Sequence, residues 1–132
     1  MIKPLSLKEA DVIYDIINRS ARAYDGLIPG DCYHEPYMSK DELHHEMRNM
    51  TFFGWEETGK LVAVMGFQPV QDVTLVRHAY VLPGYQRKGI GTKLLNHIKR
   101  KVKTSKLLVG TWADATWAIQ FYQNHGFKLM PH

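Results

Sequence analysis

The chain has 132 residues and a single cysteine, Cys32. One cysteine excludes an internal disulfide framework and any zinc site built from several thiolates. A reduced, cytoplasmic setting is the expectation that follows. No apolar run approaches the roughly 18 residues that a membrane span requires. Met1-Ile2-Lys3-Pro4 lacks the charged-then-apolar pattern of a secretory signal. Internal repeats, low-complexity segments and linkers are also missing. The length therefore suits one domain, 1–132, with one core.

The most informative absence concerns charge of one sign. Residues 73–113 contain no Asp or Glu. They hold nine of the 17 basic residues: Arg77, Arg87, Lys88, Lys93, Lys99, Arg100, Lys101, Lys103 and Lys106. Elsewhere the 13 acidic residues outnumber the remaining basic ones. One part of the chain thus favours an anion and the rest a cation. A solvated helix face is the plainer reading of such a run. Metal-binding spacing is lacking too. His44 and His45 are adjacent and diverge on a helix, and His34-Glu35 is no zinc motif, so no metal is expected. Nothing beside Cys32 activates its thiol, which argues against a nucleophile there.

Periodicity and punctuation predict the order β-α-α-β-β-β-α-β-α-β, a mixed sheet with helices packed on it. Ile2–Leu5 reads as a strand and 8–23 as a helix, with Val12, Ile13, Ile16 and Ile17 at helical spacing. Residues 24–38 form a long loop rich in Gly, Pro, Tyr and Asp, of a length that points to function or mobility. Ser39 with Glu42 has the capping-box spacing before a helix over Lys40–Asn49. Strands follow at Thr51–Glu57, 60–68 and 73–82, the first two joined by Thr58-Gly59. A helix over 88–103 carries Ile90, Leu94, Leu95, Ile98 and Val102 on one face. A strand at 106–111, a helix from Asp114 or Thr116 stopped by Gly126, and a strand at 127–130 complete the order. Trp55, Trp112 and Trp117 are expected to serve the core.

Residues 80–92 read Tyr-Val-Leu-Pro-Gly-Tyr-Gln-Arg-Lys-Gly-Ile-Gly-Thr. A strand ends, a turn follows, and a helix begins with its first N–H groups unpaired, which makes an anion site. Gly89 and Gly91 carry no side chain, so an anion can approach the backbone. Arg87 and Lys88 add charge. The spacing fits neither the nucleotide P-loop nor the dinucleotide fingerprint. Tight helix–sheet packing is the alternative use of both glycines.

Gln86-x-x-Gly89-x-Gly91 after Tyr80-Val81 resembles the pyrophosphate loop of the GNAT superfamily of acyl-CoA-dependent N-acetyltransferases. Phe121-Tyr122-x-x-x-Gly126-Phe127 resembles the second motif of that family, in the family order. The resemblance implies an α/β (α+β) fold: a mixed, mostly antiparallel sheet flanked by about four helices, splayed at the cofactor strand and short at the C-terminus. It implies that Gln86, Arg87, Lys88, Gly89, Ile90, Gly91 and Thr92 hold the pyrophosphate of acetyl-CoA. The strand edge at Tyr80 and Val81 would pair with the pantetheine arm. Tyr122 matches the family's general acid. Ala115 departs from the family, which often has Asn there near that arm.

Relatives often place a Glu on the central strand as base, and this strand has none. His78 titrates near neutrality and is the candidate base, with His34 and Glu35 as weaker ones. The acetyl-CoA side is mainly 73–127 and the acceptor side mainly 20–50. Tyr24, Glu35 and Tyr37 are expected to bind the acceptor, a small or cationic primary amine in a small molecule or peptide. A CoA-binding module without catalysis is the rival reading. A nucleic-acid partner is disfavoured, because the basic helix lacks interleaved aromatics. An exposed edge strand would favour a homodimer.

Overall fold

The structure, a computed structural model, describes residues 1–28, 30–110 and 115–128. Among the described residues, five strands form one sheet in the order β1-β2-β3-β4-β5: β1 Ile2–Leu5, β2 Thr51–Glu57, β3 Lys60–Val70, β4 Val73–Val81 and β5 Lys106–Val109. The first three pairings are antiparallel and β4·β5 is parallel. The α-helices described are α1 Ala10–Ala21, α2 Lys40–Asn49, α3 Ile90–Lys101 and α4 Thr116–Asn124. Among the described residues no helix is long and apolar enough to cross a membrane.

The sheet is central because β3 is apolar along both faces: Leu61 to Met65 are all buried. A strand buried on both faces needs cover on both. Phe52 and Phe53 show how it is supplied, since neighbouring strand residues point to opposite faces. Phe52 stacks on His78, which touches α2, whereas the Phe53 ring meets His97 of α3 edge-on at 4.5 Å. Ile13, Ile16 and Ile17 of α1 are each at most 1% exposed. Full burial of such side chains contributes about 1.5–3 kcal/mol each.

Helix starts follow their caps. Ser6 and Glu9 form a reciprocal capping box before a short 3-10 turn that feeds α1. Ser39 accepts from the Glu42 N–H at 3.1 Å and starts α2 as expected. The expected helix over 88–103 begins two residues later, at Ile90. Gly89 sits at φ 80°, a left-handed conformation that cannot belong to the helix. Of its expected apolar stripe, Ile90, Leu94, Leu95 and Ile98 are buried, whereas Val102 follows the helix as its extended cap. The expected strand 106–111 ends at Val109 within the described residues. Of the expected strand 127–130, Phe127 and Lys128 are not in a strand, and the other two lie outside the described residues. Trp117 is a correction: it is 46% exposed on α4 and stacks on Tyr24. Trp112 lies outside the described residues.

Candidate active site

Two irregularities in β4 create the site. The first is a bulge. Val64 pairs with Tyr80 and Gly66 with Arg77, so two β4 residues, His78 and Ala79, stand opposite Met65. His78 absorbs the extra residue at φ 56°, in the left-handed region that His tolerates better than most residues. The second is a divergence. β4 and β5 pair only from Val73↔Lys106 to Val76↔Val109, although β4 runs on to Val81. Beyond Val76 the β4 edge facing β5 has no strand partner among the described residues.

A cavity of about 520 Å³ lies where the strands part. Its lining includes Tyr24, Tyr37, Arg77, His78, Tyr80 and Tyr122, with Val109 and Gly110 on the β5 side. The four tyrosines arrive from separate elements. Tyr24 ends the 3-10 turn after α1. Tyr37 closes the long loop, which Asn18 pins to α1 by donating to the Met38 carbonyl and accepting from the Met38 N–H. Tyr80 follows the bulge, and Tyr122 comes from α4. Tyr24 lies 5.5 Å from Tyr37 and 6.4 Å from Tyr80, ring centre to ring centre.

Burial sets the acid–base character of this cluster. It pushes the Tyr122 phenol up to about 12, with Tyr24 adding to the rise. It pushes Tyr80 and Tyr24 up as well. All three are therefore protonated near neutrality. Burial also lowers His78; Glu46 opposes that and Arg77 adds to it. His78 is thus more readily neutral than a free histidine, whose reference value is 6.5.

The backbone around Tyr122 explains its motif. The Phe127 N–H donates to the Tyr122 carbonyl at 3.0 Å and the Gly126 N–H to the Gln123 carbonyl at 3.1 Å. This is a Schellman cap, with Gly126 at φ 92° in the left-handed position. Its hydrophobic contact is Phe127 against the Tyr122 ring, at 5.5 Å. Tyr-x-x-x-Gly-Phe is therefore the formula of a helix end that locks one tyrosine under the sheet edge.

At the other end of β4, the Leu82 N–H bonds the Val62 carbonyl of β3 at 2.9 Å. Strand alternation then turns the Val81 N–H and carbonyl toward the open edge. Side chains already occupy that carbonyl: Gln86 Nε2 donates to it at 3.1 Å and Ser20 Oγ at 3.3 Å. Of the two groups the edge was expected to offer at Val81, the N–H is the one that remains among the described residues. Gln86 thus acts on the protein itself, anchoring the turn to the strand.

The turn leads to the α3 N-terminus. Arg87 at φ 64° and Gly89 at φ 80° curl the backbone, and nothing lies within 4 Å of a Cβ built on Gly89. The first intrahelical bond is Lys93 N–H to the Gly89 carbonyl. The N–H groups of Ile90, Gly91 and Thr92 precede it and have no intrahelical acceptor. Lys88 packs over the Tyr85 ring, with its ammonium 5.4 Å from the ring centre. Gly91 answers to a different constraint. A Cβ there would lie 3.2 Å from Cζ of Phe121, so this glycine lets α3 approach α4. The Thr92 hydroxyl is 3.0 Å from His125 Nε2. Since His125 Nδ1 donates to the Phe121 carbonyl at 2.7 Å, the neutral ring accepts from Thr92.

A splayed strand edge beside an open helix N-terminus narrows the possible families. The sequence model described as the Acetyltransferase (GNAT) family matches residues 11–127. This chain belongs to that family. Peptidyl-lysine N-acetyltransferase YiaC of Escherichia coli K12 is 30% identical over 76 residues, 58% of this chain and 49% of that protein. The chain thus aligns with about half the length of that curated relative. Among solved structures, the PaiA N-acetyltransferase of Thermoplasma acidophilum in complex with coenzyme A superposes with a TM-score of 0.85 at 20% identity, covering 98% of this chain and 90% of that one. The ribosomal-protein-S18-alanine N-acetyltransferase of E. coli gives 0.77 at 26% identity, covering 99% and 79%.

Set against the GNAT fold, most expected site residues gather in two places. Tyr24, Tyr37, His78, Tyr80 and Tyr122 meet at the cavity. Residues 86–92 form the turn and first helical turn. Glu35 joins neither. Its side chain is 64% exposed, where Tyr33 donates to it at 2.9 Å and Arg22 pairs with it. Sequence reasoning missed Glu46 of α2, which reaches His78 at 3.2 Å. One signal was available: Glu46 lies three residues after Leu43, on the side of α2 that turns inward.

Proposed function

We propose that this GNAT protein transfers an acetyl group from acetyl-CoA to a primary amine. The observation that carries the reading is the cavity at the β4–β5 divergence, which gathers the Tyr122 phenol and the His78 imidazole beside a strand edge that has no strand partner among the described residues. The residues fit the co-substrate. The N–H groups of Ile90, Gly91 and Thr92, with Arg87 and Lys88, suit its pyrophosphate. The open edge of β4 suits its amide arm. Acetyl-CoA supplies an activated thioester carbonyl.

The chain's own groups divide the remaining work. His78 takes a proton from the acceptor ammonium, leaving a neutral amine to attack. The Val81 N–H, turned to the open edge, stabilises the oxygen that becomes negative. The amine nitrogen forms a bond to the carbonyl carbon and the carbon–sulfur bond breaks; Tyr122 gives its proton to the leaving sulfur, and the second proton that the nitrogen loses returns to the Tyr122 oxygen. The rings of Tyr24, Tyr37 and Tyr80 suit a cationic amine through cation–π attraction. Relatives named for peptidyl-lysine and for ribosomal protein S18 alanine both act on amines, which supports the acceptor class.

A thermal shift tests the binding step. Acetyl-CoA at ten times its dissociation constant is expected to add about 1.4 kcal/mol of stability. No shift overturns the reading, and a shift without thiol release across a panel of amines leaves a CoA-binding module.

The pH dependence of kcat tests the two acid–base roles. His78 must be neutral and is lowered, so kcat should fall on acidification only below the ordinary histidine value of 6.5. Tyr122 must be protonated and is raised to about 12, so no alkaline fall from it should appear at the ordinary tyrosine value of 10.0. An acidic limb that survives in His78→Gln would remove His78 from the chemistry.

A further inference from the structure

Glu46 and His78 are 32 residues apart, yet they meet at the bulge. Glu46 Oε1 lies 3.2 Å from His78 Nε2 and accepts from Arg77 Nη2, also at 3.2 Å. Both side chains of the Glu46–His78 pair are largely withdrawn from solvent, at 15% and 13% exposed. A carboxylate has no proton to give, so the imidazole is the donor in this contact. A neutral ring that carries its proton on Nε2 has its lone pair on Nδ1. Packing and backbone geometry hold the ring as well as this hydrogen bond. Phe52 stacks parallel to it, at 6.1 Å and 14°, and the bulge fixes its backbone at φ 56°.

We infer that Glu46 is the positioning residue of this site: it holds His78 as the Nε2–H tautomer, so that Nδ1 receives the proton of the acceptor ammonium. The inference rests on the acetyl-transfer reading above. In the step, one N–H bond of the ammonium breaks and its electron pair stays on the amine nitrogen. The proton bonds to Nδ1, and the imidazolium that forms is paired with the Glu46 carboxylate. His78 later releases that proton to solvent. The central strand lacks the carboxylate that relatives often carry, and α2 supplies one from outside the sheet instead. The charged groups around His78 are Glu46 and Glu42 from α2 and Arg77 from β4. Across the cavity, the other titratable side chains that line it among the described residues are Tyr24, Tyr37, Tyr80 and Tyr122.

The test uses ¹⁵N NMR of the imidazole in the free protein, beside kcat against pH. Neutral His78 is expected to show the Nε2–H pattern. Glu46→Gln removes the charge that raises His78, so its titration and the acidic limb of kcat should both move to lower pH. The plateau kcat should drop about tenfold, because proton transfer loses its oriented partner. Glu42→Gln removes an equal charge without touching the hydrogen bond and should leave the plateau intact. If Glu46→Gln fails to fold, Glu46→Asp takes its place: it keeps the charge but shortens the reach, so the Nε2–H pattern and the plateau should be lost together. An unmoved His78 titration in an active enzyme overturns the role of Glu46 alone. A moved titration with an unchanged plateau overturns it too. No turnover by the wild type overturns the acetyl-transfer reading, and the proton-transfer role with it.

Discussion

Tyr122→Phe is expected to lower kcat about a hundredfold while leaving acetyl-CoA binding within about twofold. The substitution removes one oxygen and its proton. The ring keeps its neighbours, Phe121 at 5.1 Å and Phe127 at 5.5 Å, and the backbone carbonyl that caps α4 is untouched. Stability should therefore hold, and the loss should fall on chemistry. A phenol raised to about 12 is a weaker acid than an ordinary tyrosine, whose value is 10.0. A thiolate formed in the same buried site is raised by the same cause, so donor and acceptor remain matched. Steady-state kinetics with a saturating amine and single-turnover measurement separate the chemical step from release. A kcat within threefold of wild type would reduce Tyr122 to a packing residue.

The outline of this fold was legible because its signals are local. The apolar runs at Thr51–Glu57 and in β3 and β4 are long enough to need no partner for their assignment. Ser39 with Glu42, and Gly126 before Phe127, are short-range hydrogen-bond devices that the chain spells out in order. The family motif at Tyr122 was legible for the same reason, since it encodes a helix end.

What stayed hidden depends on distance or on an unmarked backbone. The bulge at His78 is filled by a residue that does not advertise a positive φ, so β4 read as an uninterrupted strand. Glu46 meets His78 only after β3 and β4 have paired and α2 has packed across them. Glu35 looked suitable because it shares a loop with Tyr37. Neighbours in a loop need not face the same way, and Glu35 turns to Arg22 and solvent. The two glycines near α3 read alike. One bends the backbone in open space, and the other clears room for a ring.

That difference gives the second large expectation. Gly91→Val should cost about 2 kcal/mol of stability in the absence of any ligand, measured by urea denaturation. A Cβ at Gly91 would lie 3.2 and 3.3 Å from two ring carbons of Phe121, and valine adds two further methyl groups. Either Phe121 turns or α3 moves away from α4. Both disturb Tyr122 and His125, whose rings lie 5.1 and 4.5 Å from that of Phe121, so kcat should fall as well. Phe121→Ala opens the space that the valine needs. In the double variant the two losses should fall short of their sum by about 1 kcal/mol or more. A glycine kept only so that a phosphate can approach the backbone predicts another pattern. Acetyl-CoA binding would weaken, unliganded stability would hold, and no coupling to Phe121 would appear. The cycle therefore decides whether Gly91 serves the anion directly or serves it through the packing that brings α3 and the Tyr122 helix together.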